Sequence, residues 1–484
     1  LDVSEYGNDT IKGVGGKISE YIKELYDTEE GSRIIERFIS FENSKIEFPD
    51  GEFTEAKIPV LRLTLMLGKE ESAIVFYQHK DSETGEEFPE FIMPEATKGN
   101  NMDQRDRLTY YFKAIPKKGM HTMNKEKGIF ILNEDNRKCQ FKVKVITFSR
   151  KEFVDSNDFL NFNMKKVHCR GEHKTHCLLK YDHDKNDFDS VSGNDIDPSL
   201  KTLFLIHGTF ANTAHSFNAL YKERNEWLKK MLGLNGGKYE QIIAFDHPTI
   251  TDDAKMNTKK LFELLGEGFK FENNTDIIAT SQGGLLAQYL ANYPFEETKL
   301  PVGKVVLTAS ANGVDYFKTG EHAAKFLTVM MHRFENSGKL IPAFITGLAS
   351  QSASYFLNLP GSKQMTPGDP VLEDILSNKP AQKATCYLPI IGDFDKNSQV
   401  DSIFLKIVFS VLSVLVYPIM GKYNDLVVRT KNQYKIHKNY CCIPDYDPND
   451  FKGSIISALH GHALDSDEVK EKIARFLTND DCKC

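Results

Sequence analysis

The chain has 484 residues, 40% of them hydrophobic and 27% charged, and its 61 basic against 68 acidic side chains leave a net charge of −7. That length holds two or three domains of roughly 100–200 residues, and the balance is that of a globular chain and gives no reason to expect a nucleic acid. No charged start followed by an apolar run and a small-residue cleavage site is visible, and eight cysteines lie scattered along the chain, so the expected compartment is cytoplasmic and reducing.

In chain order, helical patterns come first, over roughly 17–26 and 30–41. Strand-like runs follow at V-L-R-L-T-L-M-L (60–67), S-A-I-V-F-Y-Q (72–78), G-I-F-I-L (128–132) and F-K-V-K-V-I-T-F (141–148). Their alternation and short polar turns predict antiparallel β structure, hence a β-rich N-terminal domain over 1–195. Histidines 168, 173 and 176 with Cys169 and Cys177 are potential zinc ligands, but their spacing matches no zinc-finger pattern, and no metal is expected. The acidic, turn-rich stretch 180–198 is read as a linker. It shares aspartate spacing with calcium loops without their glycine or terminal glutamate in register. Residues 1–200 otherwise carry no recognised motif and are left as the place for a transient membrane or protein partner.

From 201 to 484 the pattern changes to apolar strands alternating with helices, the mark of a parallel sheet covered on both faces. Candidate strands are 203–206, 241–245, 276–280, 304–309, 386–392 and 454–459. An insertion over 315–380 contains two apolar helical segments, 323–332 and 340–357. Such helices either cap the site, where they would suit an acyl chain, or pack on the sheet. The apolar run 403–420 is broken by Lys406 and Pro418, too short for a membrane span, and is read as a buried helix. The fold expected is therefore α/β, a doubly wound and mostly parallel sheet with a helical cap insertion, preceded by the β-rich domain.

The most informative stretch is I-I-A-T-S-Q-G-G (277–284), an apolar strand entering a helix through Ser281. A serine on a sharp strand-to-helix turn between small residues is exposed as a nucleophile, the pattern G-x-S-x-G. Here Ala279 holds the first small position and Gly283 the second. A serine hydroxyl needs a base held in one tautomer by a carboxylate, in the chain order serine, acid, histidine. Asp425 in N-D-L-V-V precedes an apolar pair that can anchor its loop, and is preferred to Asp393 and Asp395 in a solvated turn. His460 ends the last strand ahead of a closing amphipathic helix, and is preferred to His462. For the oxyanion, the amide of Gln282 at the helix start is one donor, and Thr209 or Phe210 in the loop L-F-L-I-H-G-T-F supplies the other. Gly208 gives that loop its tight turn, and His207 is read as a brace of the turn.

Together L-F-L-I-H-G-T-F, I-I-A-F-D-H-P-T, A-T-S-Q-G-G-L-L-A, L-P-G-S-K-Q-M-T-P-G, N-D-L-V-V and A-L-H-G-H-A-L resemble the lipase/esterase-like branch of the α/β-hydrolase superfamily, over about 201–484. They look most like its bacterial domains with an H-G-T-F oxyanion loop and a D-H-x-T motif. The resemblance implies a Ser281–Asp425–His460 triad and hydrolysis of an acyl ester, with Ala279 departing from the glycine of many members. The function expected is a serine hydrolase acting on a small-molecule or lipid-like acyl ester. An amidase or peptidase using the same triad, and a non-catalytic binding module, are the alternatives. No P-loop or dinucleotide fingerprint appears, so no cofactor is expected.

Overall fold

The computed structural model describes residues 35–47, 60–68, 70–80, 87–92, 107–113, 123–124, 129–130, 138–155, 176–222, 226–233, 237–293, 299–319, 323–324, 327, 340–377, 385–393, 425, 427–433, 435–436, 455–457 and 463–479. Two compact units divide the chain: residues 1–159 with 323–356, and residues 160–322 with 357–484.

The first unit opens with strands β1 (Ile35–Glu47), β2 (Val60–Met66), β3 (Glu71–Lys80), β4 (Glu87–Ile92), β5 (Arg107–Lys113), β6 (Met123–Asn124), β7 (Ile129–Phe130) and β8 (Lys138–Ser149), then helix α1 (Arg150–Asp155). An antiparallel sheet runs in the order β1-β8-β3-β4, while β2 pairs with β5 and β6 with β7. Ala73, Ile74 and Val75 of β3 and Val145, Ile146 and Phe148 of β8 are fully buried, as expected of strands with a neighbour on each edge. The helix expected over 30–41 is a correction. Residues 35–47 form a strand along β8, because pairing with that long apolar strand outweighs the helical spacing of Ile35, Phe38, Ile39 and Phe41. The helical pattern at 17–26 and the apolar run 403–420 lie outside the described residues.

The described strands of the second unit form a single sheet. Its strands are β9 (Cys177–Asp182), β10 (Asp187–Val191), β11 (Thr202–Ile206), β12 (Gln241–Asp246), β13 (Thr275–Thr280), β14 (Val302–Thr308), β15 (Cys386–Asp393) and β16 (Ile455–Ser457), in the order β10-β9-β12-β11-β13-β14-β15-β16. From β12 to β16 every pairing is parallel; β9 joins antiparallel to β12, and β10 antiparallel to β9. The linker expected at 180–198 is thus mostly a hairpin of the sheet. Its aspartates read as turn, but Leu179, Tyr181 and Phe188 alternate with them and enter the core.

Helices alternate with the strands: α2 (Thr213–Tyr221) and α3 (Trp227–Met231) after β11, α4 (Ala254–Leu265) after β12, and α5 (Gly283–Asn292) after β13. Phe217, Leu220, Trp227 and Leu228 bury one face of the sheet over Leu203, Leu205, Ile242 and Ile278. Each such side chain withdrawn from water contributes about 1.5–3 kcal/mol. The alternate strand residues Phe204, Ile206, Ile243 and Ile277 point the other way, where α4 and α5 pack. Side-chain caps start α2 and α4: Asn212 accepts the His215 amide at 2.9 Å and Asp253 the Met256 amide at 2.8 Å.

After β14 the chain leaves this unit. Residues 323–356, with α6 (Leu340–Gln351) and α7 (Ala353–Phe356), belong to the first unit and pack on β3 and α1. Ser72 donates to Gln351 Oε1 at 3.4 Å, Tyr355 donates to the Glu70 carboxylate, and Arg150 lies 6.0 Å over the Tyr355 ring. The insertion is therefore split. Helices α8 (Pro360–Lys363) and α9 (Pro370–Ile375) return to the second unit, which β15, α10 (Thr430–Gln433), β16 and α11 (Asp467–Thr478) complete. The indole Nε1 of Trp227 donates to the Lys470 carbonyl at 3.2 Å, fastening α11 to α3. Among the described residues no helix is long and apolar enough to cross a membrane.

Candidate active site

Ser281 stands between β13 and α5 with φ at +52°, a left-handed conformation unfavourable for a residue with a side chain. Its amide donates to Thr308 O at 2.9 Å, and its carbonyl accepts from Gly284 at 3.0 Å and Ala311 at 3.1 Å, so the turn is held from β14. The glycine after Gln282 follows from space. A Cβ on Gly283 would lie 2.5 Å from Ile206 O, and one on Gly284 would lie 2.9 Å from Ser310 Cβ. Helix α5 thus starts against the end of β11 with no room for a methyl group.

The loop after β11 meets the same turn. A Cβ on Gly208 would sit 2.6 Å from Ser281 Cβ, so only glycine lets this backbone reach the serine. His207 is fully buried. Its Nε2 accepts the His247 amide at 3.1 Å, which leaves Nδ1 protonated to donate to Gly208 O at 2.9 Å. Burial pushes its pKa down, opposed in part by the Asp246 carboxylate, so the ring is neutral and braces the turn. The amides of Thr209 and Gln282 have no protein acceptor among the described residues, whereas that of Phe210 donates to Thr249 Oγ1 at 3.3 Å. The Thr209 hydroxyl donates to Gln282 Oε1 at 3.4 Å, joining the two residues. Ser281, His207, Gly208, Thr209, Phe210, Gln282 and Gly283 are therefore gathered at one place.

Asp425 is fully buried. One carboxylate oxygen accepts the amides of Val427 at 3.0 Å and Val428 at 2.7 Å, and its own amide donates to Val428 O at 3.2 Å. That compact loop is tied toward the serine helix by side chains the sequence did not single out. Gln433 donates to Val428 O at 3.1 Å and accepts the Gly392 amide at 2.7 Å. Asn312 donates to Gln433 O at 3.3 Å and accepts from Ser310 at 2.8 Å and from Gln288 of α5 at 2.9 Å. Tyr316 lies near enough that the Asp425 charge adds to burial in raising its pKa. Among the rival acids, Asp393 ends β15, and Asp395 lies outside the described residues, as do His460 and His462.

One group among the described residues has metal-ligand geometry: Asp182, His183 and Asp184 at the tip of the β9–β10 hairpin, with ligand atoms within 4.8 Å of one another. They are solvated, and Asp182 pairs with Lys185 at 3.1 Å. Of the histidine–cysteine cluster, His176 lies 3.2 Å from Asp252, and Cys177 is disulfide-bonded. Cys177 is thus not a free ligand, and the expectation of a chain of reduced thiols does not hold for it.

No curated protein matches the chain. Solved structures similar to it include a gene product of Listeria innocua (16% identity, 58% of this chain and 94% of that one, TM-score 0.31) and the mature lipase BlEst2 of Bacillus licheniformis (15%, 58% and 93%, TM-score 0.31). A Pyrococcus furiosus esterase is another (15%, 65% and 97%, TM-score 0.31). At those scores the fold rests on the sheet order and strand directions described above. A family model matches residues 174–478, starting just ahead of β9 and ending in α11, so the hairpin and the whole sheet lie within it. The chain belongs to the family described as "Domain of unknown function (DUF7379)".

Proposed function

We propose that the second unit is a serine hydrolase that cleaves carboxylic esters through an acyl-enzyme. The observation that carries this reading is Ser281 at φ +52° on a strand-to-helix turn, with the glycine of a neighbouring loop against it and, beside it, two amides that have no protein acceptor among the described residues. Backbone strain at a serine is costly and is kept where the surroundings enforce it, as they do at an exposed nucleophile.

In this reading Ser281 Oγ attacks the ester carbonyl carbon while His460 takes the hydroxyl proton and Asp425 orients His460 and balances its charge. The role of His460 rests on chain order, after β16 and before α11. The carbonyl oxygen becomes an oxyanion that the amides of Thr209 and Gln282 stabilise, with the positive end of α5 behind Gln282. Collapse expels the alcohol, which receives the proton from His460, and water then releases the acid by the same steps in reverse. Amides pass through the same tetrahedral intermediate. The ester is preferred, with a lipid-like acyl chain, on the resemblance of the motifs.

A fluorophosphonate probe tests this directly, since it labels an activated serine whatever the natural substrate. Intact mass of the full chain should show one adduct that Ser281→Ala abolishes. A folded wild type that gains no adduct and turns over no short-chain ester would end the hydrolase reading.

A further inference from the structure

The segment after β12, Asp246-His247-Pro248-Thr249, grips the loop 207–213 at three points. His247 N–H donates to His207 Nε2 at 3.1 Å, at the start of the loop. Asp246 Oδ1 accepts the Thr213 amide at 2.8 Å and the Thr213 hydroxyl at 2.5 Å, at its end. Thr249 Oγ1 accepts the Phe210 amide at 3.3 Å, in the middle. The outer two would fix the ends of any loop in this place.

The middle bond falls where the backbone is strained. Ala211 N–H closes a turn onto Gly208 O at 3.2 Å, and within it Phe210 has φ +56°, a conformation bulky residues avoid. Something must hold Phe210 there, and Thr249 takes its amide. With Phe210 N–H committed, Thr209 N–H is the amide of this turn that has no protein acceptor among the described residues, in the residue after the glycine that abuts Ser281.

Thr249 is itself pinned. The next residue, Ile250, accepts the Gly361 amide at 2.9 Å, and a Cβ on Gly361 would lie 2.6 Å from that same carbonyl. Gly361 O in turn accepts from the Gln282 side chain at 3.2 Å, and Gln282 Oε1 accepts from the Thr209 hydroxyl. A closed ring therefore runs from Thr249 through Phe210, Thr209, Gln282, Gly361 and Ile250 back to Thr249, and both residues whose amides have no protein acceptor among the described residues lie on it.

We propose that Thr249 is a positioning residue for ester hydrolysis, whose hydroxyl holds the Phe210 amide and so presents the Thr209 N–H beside Ser281 to the developing oxyanion. This rests on the serine-hydrolase reading. Stabilisation of an oxyanion depends on donors fixed before charge develops, so loosening the loop acts on the transition state and leaves ground-state binding almost untouched.

The test replaces the acceptor and keeps the shape. In the full chain, Thr249→Val should lower kcat on a short-chain p-nitrophenyl ester about 10- to 100-fold with KM changed by less than about twofold, the size expected of a donor displaced by a fraction of an ångström. Fluorophosphonate labelling of Ser281 should slow in parallel, and Thr249→Ser, which restores the hydroxyl, should recover most of both. If the valine variant does not fold, Thr249→Cys, of similar size and with a weaker acceptor, should show a kcat loss in the same direction. Wild-type kcat in the folded valine or cysteine variant, a loss confined to KM, or a serine variant as impaired as valine overturns the inference while wild-type labelling leaves the hydrolase reading standing. A wild type that neither labels nor turns over ester overturns both.

Discussion

Gly283→Ala is the sharpest perturbation the site offers. The added methyl carbon would lie 2.5 Å from Ile206 O and comparably close to His207 O, both backbone atoms at the end of β11 that no side-chain rotation can move. Ordinary contact begins near 3.4 Å, so α5 must withdraw by about 1 Å to clear the nearer of the two carbonyls, that of His207. Overpacking of this kind costs about 1–3 kcal/mol, offset by the roughly 0.5–1 kcal/mol that alanine gains over glycine in a helix, for a net loss of up to about 2.5 kcal/mol. The catalytic effect should exceed the structural one. Ser281 and the Gln282 amide ride on the same turn, and displacing a reacting group by about 1 Å costs roughly 100-fold. The assay is the rate of fluorophosphonate adduct formation, by intact mass, beside the urea midpoint. Gly68→Ala serves as control, because its nearest atoms would be 3.7 Å away. A Gly283→Ala protein that labels within about threefold of wild type at an unchanged midpoint would refute the claim that α5 is pressed on β11 at the serine.

Labelling of His460→Ala should collapse while His462→Ala labels normally; the reverse assigns the base to His462. Asp425→Asn should keep the fold, since an amide oxygen can still accept from Val427 and Val428, yet lose roughly 10³- to 10⁴-fold in ester turnover, and a comparable loss at Asp393 instead would move the acid to β15. Burial holds His207 below its ordinary pKa, and burial with the neighbouring His207 ring holds His247 well below it. The unfolded chain therefore takes up protons first, so stability is complete above about 6.5 and should fall as pH drops below that, by about 1.4 kcal/mol per pH unit for each ring until its folded pKa is reached. Urea midpoints at pH 7.5, 6.5 and 5.5 measure this, and a flat profile contradicts it. A fragment of residues 201–484 should be insoluble, because it lacks β9, which pairs with β12, and keeps 323–356 without their partners β3 and α1. A fragment of 174–478 with 323–356 replaced by a short glycine–serine link should be soluble, and a soluble, labelling 201–484 would show that neither loss matters.

Much of the sheet could be read from sequence because the parallel strands are apolar on both faces and bounded by turns. The runs expected at 203–206, 241–245 and 276–280 are β11, β12 and β13 within a residue at either end. The turn at Ser281 was equally legible, since two consecutive glycines after a strand have few structural excuses. The hairpin β9–β10 was not, because aspartates and asparagines on its solvent side mask the alternation of Leu179, Tyr181 and Phe188. Apolar composition marked 340–357 as a cap or as helices packed on the parallel sheet, but hydrophobicity carries no address, and α6 packs on β3, more than 250 residues earlier. Thr249 was quoted within a motif and given no task. A single hydroxyl serving one amide 39 residues away leaves no periodic trace.

The return of 323–356 to the first unit sets an order of assembly during synthesis. Strands β3 and β8 leave the ribosome early, yet the helices that complete their unit follow only after β9 to β14 have been made. At about 5–20 residues per second, the interval between residues 159 and 356 is roughly 10–40 s, long against the milliseconds to seconds in which a small domain folds. For that time the apolar face awaiting α6 is exposed to whatever else the nascent chain meets, and it is the point at which a chaperone would be needed most.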